Sequence, residues 1–79
     1  MDYKKLTEYL VKSLAKKPDL VTVNVLENDI ITIDVSISES DMGAVIGRGG
    51  LNAKAIRTLI QAASNNDQGK KTRVNIESL

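Results

Sequence analysis

Three glycines stand within four positions in the stretch VIGRGGLNAKAI, residues 45–56. Glycine is conformationally costly to order, so three of them in a joint between two helices must allow something that other residues would block. Gly47, Gly49 and Gly50 let a phosphodiester approach the backbone, and Arg48 supplies positive charge at the tip. A helix beginning directly after the glycines points its N–H groups to the same place. The stretch predicts an anion-binding turn or, in the simpler alternative, an ordinary joint that needs glycine only for its geometry.

Other glycine-rich phosphate sites match this stretch less well. A P-loop requires G-x-x-x-x-G-K-[ST], and no Lys-Ser/Thr pair follows the glycines. A dinucleotide-binding fingerprint requires a preceding strand and a further glycine downstream of Gly50. Neither class of nucleotide-binding loop is predicted.

Upstream of the glycines, the spacing of apolar residues predicts one helix and two strands. Apolar residues recur at three- and four-residue spacing over residues 2–17, and Pro18 then ends the predicted helix. Alternation of β-branched and polar residues predicts strands over residues 20–27 and 30–38. The two-residue link Asn28-Asp29 tolerates positive φ, so we expect an antiparallel hairpin with one face on the core.

The remainder of the chain predicts two helices and a closing strand. A short helix is expected over residues 41–46, with Asp41 near its positive end. A long helix follows over residues 51–64, then a polar loop over residues 65–71 and a strand that begins at Thr72. The predicted class is α+β, with the order α-β-β-α-α-β.

The apolar residues of the long helix cover an arc of about 200°, roughly twice the minimum for an amphipathic helix. Either both flanks of this arc are buried within one domain, or one flank contacts another subunit. The candidate interface residues on that flank are Ala53, Ile56, Ile60 and Ala63.

Composition limits the chain to one domain and excludes several kinds of site. Seventy-nine residues with 42% apolar content can form one small core, so residues 1–79 are expected to be a single domain. The absence of Cys and His excludes thiolate nucleophiles, Ser-His triads, structural zinc sites and disulfides. We therefore predict no enzyme activity, no metal and no cofactor.

The few aromatic residues and the distribution of charge bear on nucleic-acid binding. Tyr3 and Tyr9 are the only aromatic residues, which argues against modules that stack bases on aromatic platforms. Residues 1–41 hold five Lys/Arg against eight Asp/Glu, whereas residues 42–79 hold six against two. The second half could therefore face an anion, although scattered surface charge is the simpler explanation.

The run from Val45 to Ile56 resembles the signature of KH domains: an apolar pair, Gly-x-x-Gly, and a helix with an apolar residue six places after the last glycine. The predicted element order is similar to that of the prokaryotic, type II KH fold. In that fold a three-stranded sheet is covered on one face by three helices. More narrowly, the chain resembles the KhpA group of small bacterial proteins that consist of one KH domain, over essentially its whole length.

The resemblance implies that the Gly-x-x-Gly loop binds a single RNA strand of about four nucleotides through backbone contacts and a groove. The residues that it assigns to RNA binding are Val45, Ile46, Gly47, Arg48, Gly49, Gly50, Lys54 and Arg57. Val45 and Ile46 would line the groove floor, with the second strand as its far wall; their alternative role is core packing. Lys54 and Arg57 would contact phosphates, or would simply form a solvated helix face. Many relatives carry a bulkier polar residue in place of Gly49, so this position would supply fewer contacts here.

The resemblance also implies partners and a biological role. We expect a dimeric RNA chaperone or post-transcriptional regulator, either as a homodimer or paired with a larger Jag-type KH protein. The charged start of the chain lacks the apolar run of a signal peptide, and no apolar stretch is long enough to span a membrane, so we expect a cytoplasmic protein. The alternative function is an adaptor that dimerises and has vestigial RNA binding.

Overall fold

Three helices pack on one face of a three-stranded sheet in the computed structural model, which describes residues 1–79. The helices are α1 (Tyr3–Lys12), α2 (Met42–Ile46) and α3 (Leu51–Asp67). The strands are β1 (Thr22–Glu27), β2 (Ile31–Ile37) and β3 (Thr72–Ser78). The predicted α+β class and the order α-β-β-α-α-β are confirmed.

The central strand β2 organises the core. It pairs with β1 in the antiparallel sense and with β3 in the parallel sense. Its period of two places Ile31, Ile33, Val35 and Ile37 on one face, where all four are buried beneath the helices. Because a parallel neighbour requires a crossover, the chain from β2 to β3 runs through α2 and α3, and β3 becomes an edge strand beside α3.

The hairpin between β1 and β2 differs from the predicted two-residue link. Glu27 pairs with Ile31, so three residues form the connection, and the Asn28 N–H donates to the Ile30 carbonyl at 3.0 Å. Only glycines have positive φ in this chain. The primed turn that Asn28-Asp29 would favour is therefore absent, and the prediction of a two-residue turn is wrong, although the antiparallel pairing is confirmed.

A buried carboxylate ends α1 earlier than the sequence predicts. The Lys16 and Lys17 N–H groups donate to the two carboxylate oxygens of Asp41 at 2.9 Å and 3.0 Å. Backbone donors bound by a side chain cannot continue the helical hydrogen-bond pattern, so α1 ends at Lys12 rather than at Lys17. The Asp41 side chain makes no capping hydrogen bond to α2, and its residue is only 1% exposed. Asp41 therefore joins the segment after α1 to the start of α2.

The long helix continues three residues beyond its predicted end at Ser64. The Ser64 carbonyl accepts the N–H groups of Gln68 at 2.8 Å and Gly69 at 2.7 Å. Gly69 has a φ of 72°, the left-handed conformation that commonly terminates helices. The polar residues before it remain helical, so the loop to β3 is shorter than predicted.

A hydrogen bond between a tyrosine and an aspartate joins the first residue of α1 to the last residue of α3. The buried Tyr3 hydroxyl donates to Asp67 Oδ2 at 2.8 Å. Burial raises the pKa of Tyr3 above 10.0, and the hydrogen bond to Asp67 raises it further. The same hydrogen bond, helped by the Gln68 amide, lowers the pKa of Asp67 below 3.8. The contact connects the start of α1 to the end of α3.

We expect Asp41→Asn to lower the free energy of unfolding by about 2–3 kcal/mol, because an amide cannot accept both backbone N–H groups as a carboxylate does. Urea denaturation followed by circular dichroism would measure a lower midpoint with an unchanged slope. The matched control is Asp34→Asn on the open face of the sheet, where the change should stay within about 0.5 kcal/mol. Equal midpoints for the two variants would contradict the structural role of Asp41.

Candidate functional site

The glycine turn (residues 47–50) joins α2 to α3 in a conformation that requires glycine. Gly47, Gly49 and Gly50 have φ values of 79°, 62° and 78°. Residues with a side chain rarely adopt such positive φ values. The Gly50 N–H donates to the Gly47 carbonyl at 3.0 Å and closes the turn. Arg48 is exposed at its tip.

A close contact with α3 excludes any side chain at Gly47. A Cβ atom there would lie 2.7 Å from Asn52 Cγ and 2.9 Å from the Asn52 backbone nitrogen. The Asn52 side chain itself reaches across to α2, where Nδ2 donates to the Ala44 carbonyl at 2.8 Å. Sequence reasoning missed Asn52, because a single polar residue in the first turn of a helix carries no distinctive signal. Asn52 and Gly47 together fix the turn between the two helices.

The start of α3 is open to an anion. Its N-cap residue, Gly50, provides no capping side chain, and the first turn holds no acidic residue. The 17-residue helix directs the positive end of its dipole toward this point. The uncapped N–H groups of the first turn, together with Arg48, are suited to a phosphate group.

A groove of about 990 Å³ runs along α3 from Lys54, four residues after the turn. It lies between α3 and the edge strand β3, and we call it the cationic groove because it holds four basic residues and no acidic one. The basic residues are Lys54, Arg57, Lys71 and Arg73. The other lining residues are Ile30, Thr58, Gln61, Ala62, Asn65, Thr72, Val74 and Asn75.

One basic side chain is attached to the far wall of the groove. Arg57 Nε donates to the Val74 carbonyl at 3.1 Å, which holds the guanidinium of α3 against β3. The remaining guanidinium N–H groups stay available to a ligand. The far wall is β3 rather than the predicted second strand, because β2 is the central strand and has a neighbour on each side.

The structure separates the predicted RNA-binding residues into three groups. Residues 47–50 form the turn, and Lys54 and Arg57 line the cationic groove beyond it. Ile46 is half-buried at the end of α2. Val45 is fully buried in the core cluster, so the prediction that it lines the groove floor is wrong. Its apolar character serves the core, which was the alternative.

Sequence reasoning missed the two cations on the β3 side, Lys71 and Arg73. They lie in a different segment from the glycine turn, and only the placement of β3 parallel to β2 and beside α3 brings them into one groove with Lys54 and Arg57. The excess of positive charge in residues 42–79 was the available signal. It indicated an anion-facing half without locating the groove.

The predicted subunit interface lies on the flank of α3 that faces the core. Ala53, Ile56 and Ile60 are buried within the chain's own core, and Ala63 is half-buried. The three buried residues cannot form an exposed partner surface, because their side chains already pack in the core of this domain.

The other flank of α3 carries exposed apolar side chains. Leu51 is 67% exposed and Leu59 is 52% exposed. With the exposed Ala55 and Ala62, they form a continuous surface at three- and four-residue spacing, which we call the apolar stripe. The wide apolar arc of α3 is therefore divided between a core flank and this exposed flank.

The structure shows neither a cluster of metal ligands nor a membrane-spanning helix. No group of three or more Asp, Glu, His or Cys residues is placed to hold a metal ion. None of the helices has the length and apolar character needed to cross a bilayer.

The family model of the KhpA/KhpB KH domain matches residues 4–76. Among curated proteins, "RNA-binding protein KhpA" of Clostridium perfringens is 48% identical over 62 residues, which cover 77% of this chain and 83% of that protein. The protein of the same name from Listeria monocytogenes is 46% identical over 69 residues, covering 85% of this chain and 88% of that protein.

A solved structure shares the fold at low sequence identity. The crystal structure of Era in complex with MgGDPNP and a segment of 16S ribosomal RNA superposes with a TM-score of 0.70 at 15% identity. The match covers 96% of this chain but only 29% of the Era chain. At this identity the likeness concerns the fold alone.

We expect alanine substitutions at three glycines to separate the energetic cost of a positive φ from the cost of a steric clash. Gly47→Ala should lower the free energy of unfolding by about 3 kcal/mol or more, because it combines positive φ with a clash against Asn52. Gly49 also has a positive φ, but an added Cβ atom would meet no neighbour, so Gly49→Ala should lower the free energy of unfolding by about 1–2 kcal/mol. Gly43→Ala, inside α2 with nothing nearby and no positive φ, should stabilise by about 0.5–1 kcal/mol. Urea denaturation would give this order; a different order would contradict the turn geometry.

Proposed function

The chain belongs to the KhpA/KhpB family of KH domains, and on that premise we propose that it binds single-stranded RNA through the glycine turn and the cationic groove. The observation that carries the proposal is the charge of the groove: four cations and no acidic residue line it, and Lys54 in that lining lies one helical turn beyond Gly50. A KH domain of this kind engages about four nucleotides. The proposed activity is binding rather than catalysis.

The contacts follow from the positions of the charged groups. A phosphate would lie at the glycine turn, where Arg48 and the N–H groups at the start of α3 converge. Lys54, one helical turn beyond Gly50, would take the next phosphate. The bases would enter the groove toward Arg57 and the Val74 edge of β3. Base stacking on aromatic side chains is not needed in this arrangement.

We expect the double substitution Arg48→Asp and Gly49→Asp to abolish RNA binding while circular dichroism stays native. Two carboxylates at the tip would repel phosphate, and Asp tolerates the positive φ of Gly49 better than most residues. Fluorescence anisotropy with a short single-stranded RNA of mixed sequence would measure the loss. The charge-matched control is Lys5→Asp with Thr22→Asp, two exposed positions outside the groove that introduce the same charge change. Parental affinity in the folded turn variant would show that the turn is not the binding site.

The dependence of affinity on salt provides a second readout for the same proteins. Each phosphate contact contributes about −0.7 to the slope of log affinity against log salt concentration for a single strand. Lys54→Met should therefore make the slope shallower by about 0.7, whereas the Lys5→Asp, Thr22→Asp control should leave it unchanged. A parental slope in Lys54→Met would exclude Lys54 from the phosphate path.

We further propose that two copies associate through the apolar stripe, in place of the buried flank predicted from sequence. In a two-fold antiparallel pairing of α3 helices, Leu51 would face Ala62 of the second copy and Leu59 would face its Ala55. Large side chains then meet small ones in both directions, and the flanking residues Asn52, Thr58 and Asn66 carry no charge. Each copy engages only a few nucleotides, so pairing would raise the affinity for a longer strand through effective concentration.

The biological role that fits this arrangement is an RNA chaperone or post-transcriptional regulator in the cytoplasm. A larger Jag-type KH protein that presents a similar helix could occupy the same apolar stripe in place of a second copy. The second candidate function, an adaptor with vestigial RNA binding, is favoured by the exposure of this stripe. A flat salt dependence in the parent protein would favour the adaptor over the RNA-binding function.

We expect Leu59→Asp to yield a monomer, because the substitution places a charge at the centre of the proposed contact. Light scattering at matched concentrations would measure the mass. The control is Leu26→Asp, which changes a similarly exposed leucine on β1, outside the stripe, and should remain dimeric. A dimeric Leu59→Asp protein would place the subunit contact elsewhere.

A further inference from the structure

Gln61 lies in the lining of the cationic groove, yet its side-chain amide makes all of its hydrogen bonds within the chain. Its Nε2 donates to Asn65 Oδ1 and to the Lys70 carbonyl, both at 3.0 Å. Its Oε1 accepts from the Thr72 N–H at 2.8 Å and from the Thr72 hydroxyl at 3.0 Å. An amide offers two donor hydrogens and two acceptor lone pairs, so none remains for a ligand. Gln61 cannot read RNA directly without giving up one of these partners.

The hydrogen bonds of Gln61 converge on the backbone either side of Lys71. The buried Ser64 also donates its hydroxyl to the Lys70 carbonyl at 2.6 Å, so two side chains of α3 hold that one oxygen. The Lys71 carbonyl accepts the Ile31 N–H at 2.9 Å. The backbone around Lys71 is therefore held on three sides, while its own side chain is exposed in the groove.

We infer that Gln61 is a positioning residue for RNA binding, which rests on the function proposed above. It ties the loop after α3 and the first residues of β3 to the helix, and so fixes the place at which Lys71 enters the groove lining. A loop that is ordered before RNA arrives loses less conformational entropy on binding than a mobile one. Gln61 thus raises affinity through Lys71 without touching the nucleic acid.

The first test removes the amide but keeps the length and the neutrality of the side chain. In Gln61→Met, we expect RNA binding about tenfold weaker and a salt slope shallower by about 0.7, the loss of one phosphate contact. Lys71→Met should show the same slope change. Because Gln61 acts through Lys71, the double variant should bind no more than about twofold weaker than Gln61→Met alone. A double variant whose loss is the product of the two single losses would overturn the inference.

A charge-matched pair tests the same contact in a second way. Gln61→Glu and Asn65→Asp each add one negative charge to the groove lining. A carboxylate at position 65 still accepts from Gln61, whereas a carboxylate at position 61 cannot donate to the Lys70 carbonyl. We expect Gln61→Glu to bind RNA about tenfold more weakly than Asn65→Asp. Equal affinities would overturn the inference.

Two further measurements distinguish a failure of this inference from a failure of the proposed function: hydrogen exchange at Thr72 and RNA binding by the parent protein. The Thr72 amide should exchange faster in Gln61→Met than in the parent, because its acceptor is lost. If Gln61→Met fails to fold, Gln61→Glu keeps that acceptor and carries the test. A parent protein that does not bind the mixed-sequence RNA would overturn the proposed function. Variants at position 61 that bind as tightly as a binding-competent parent would overturn only the role of Gln61.

Discussion

The functional surface of this protein depends on the close approach of Gly47 to Asn52. A side chain at Gly47 would collide with both the side chain and the backbone of Asn52, so only glycine allows α2 and α3 to meet at this distance. The hydrogen bond from Asn52 to the Ala44 carbonyl then holds the two helices in that relation. In this turn Arg48 is exposed at the tip, and Gly50, which has no capping side chain, leaves the start of α3 uncapped. A side chain at Gly47 would therefore force the start of α3 away from α2 and displace the turn between them.

A single 17-residue helix serves three purposes at once, because α3 presents different residues every 100° of rotation. One side, with Ile56 and Ile60, is buried in the core and fixes the helix to the sheet. A second side, with Lys54 and Arg57, lines the cationic groove. The third side is the apolar stripe, which borders the groove at Ala62. Binding of RNA and association of two copies would therefore use adjacent sides of the same rigid element.

The parts of the fold that sequence could predict are those governed by local periodicity. The strand β2 and the order of elements follow directly from alternation and spacing. The end of α1 could not be predicted, because it depends on Asp41, which lies more than twenty residues away. An apolar residue before a glycine, such as Val45, has the same pattern whether it belongs to a core or to a groove. The sequence defines the width of the apolar arc of α3 but not which flank of it faces the core. The position of Lys71 in the groove could not be predicted either, because it depends on the placement of β3 parallel to β2.

The groove divides its polar groups between those that set its shape and those that attract a ligand. All hydrogen-bonding positions of the Gln61 amide are used within the chain, and the Arg57 side chain is held by the Val74 carbonyl, whereas the side-chain ammonium groups of Lys54 and Lys71 make no hydrogen bond or ion pair within the chain. Without Trp or Phe, little base-stacking energy is available, so attraction to phosphate must supply much of the affinity. Attraction to phosphate discriminates poorly between RNA sequences, because every nucleotide carries the same phosphate group. Selectivity must then come from the fixed shape of the groove and from the number of grooves that one strand can fill. A rigid far wall would serve the first of these, and the proposed association of two copies would serve the second.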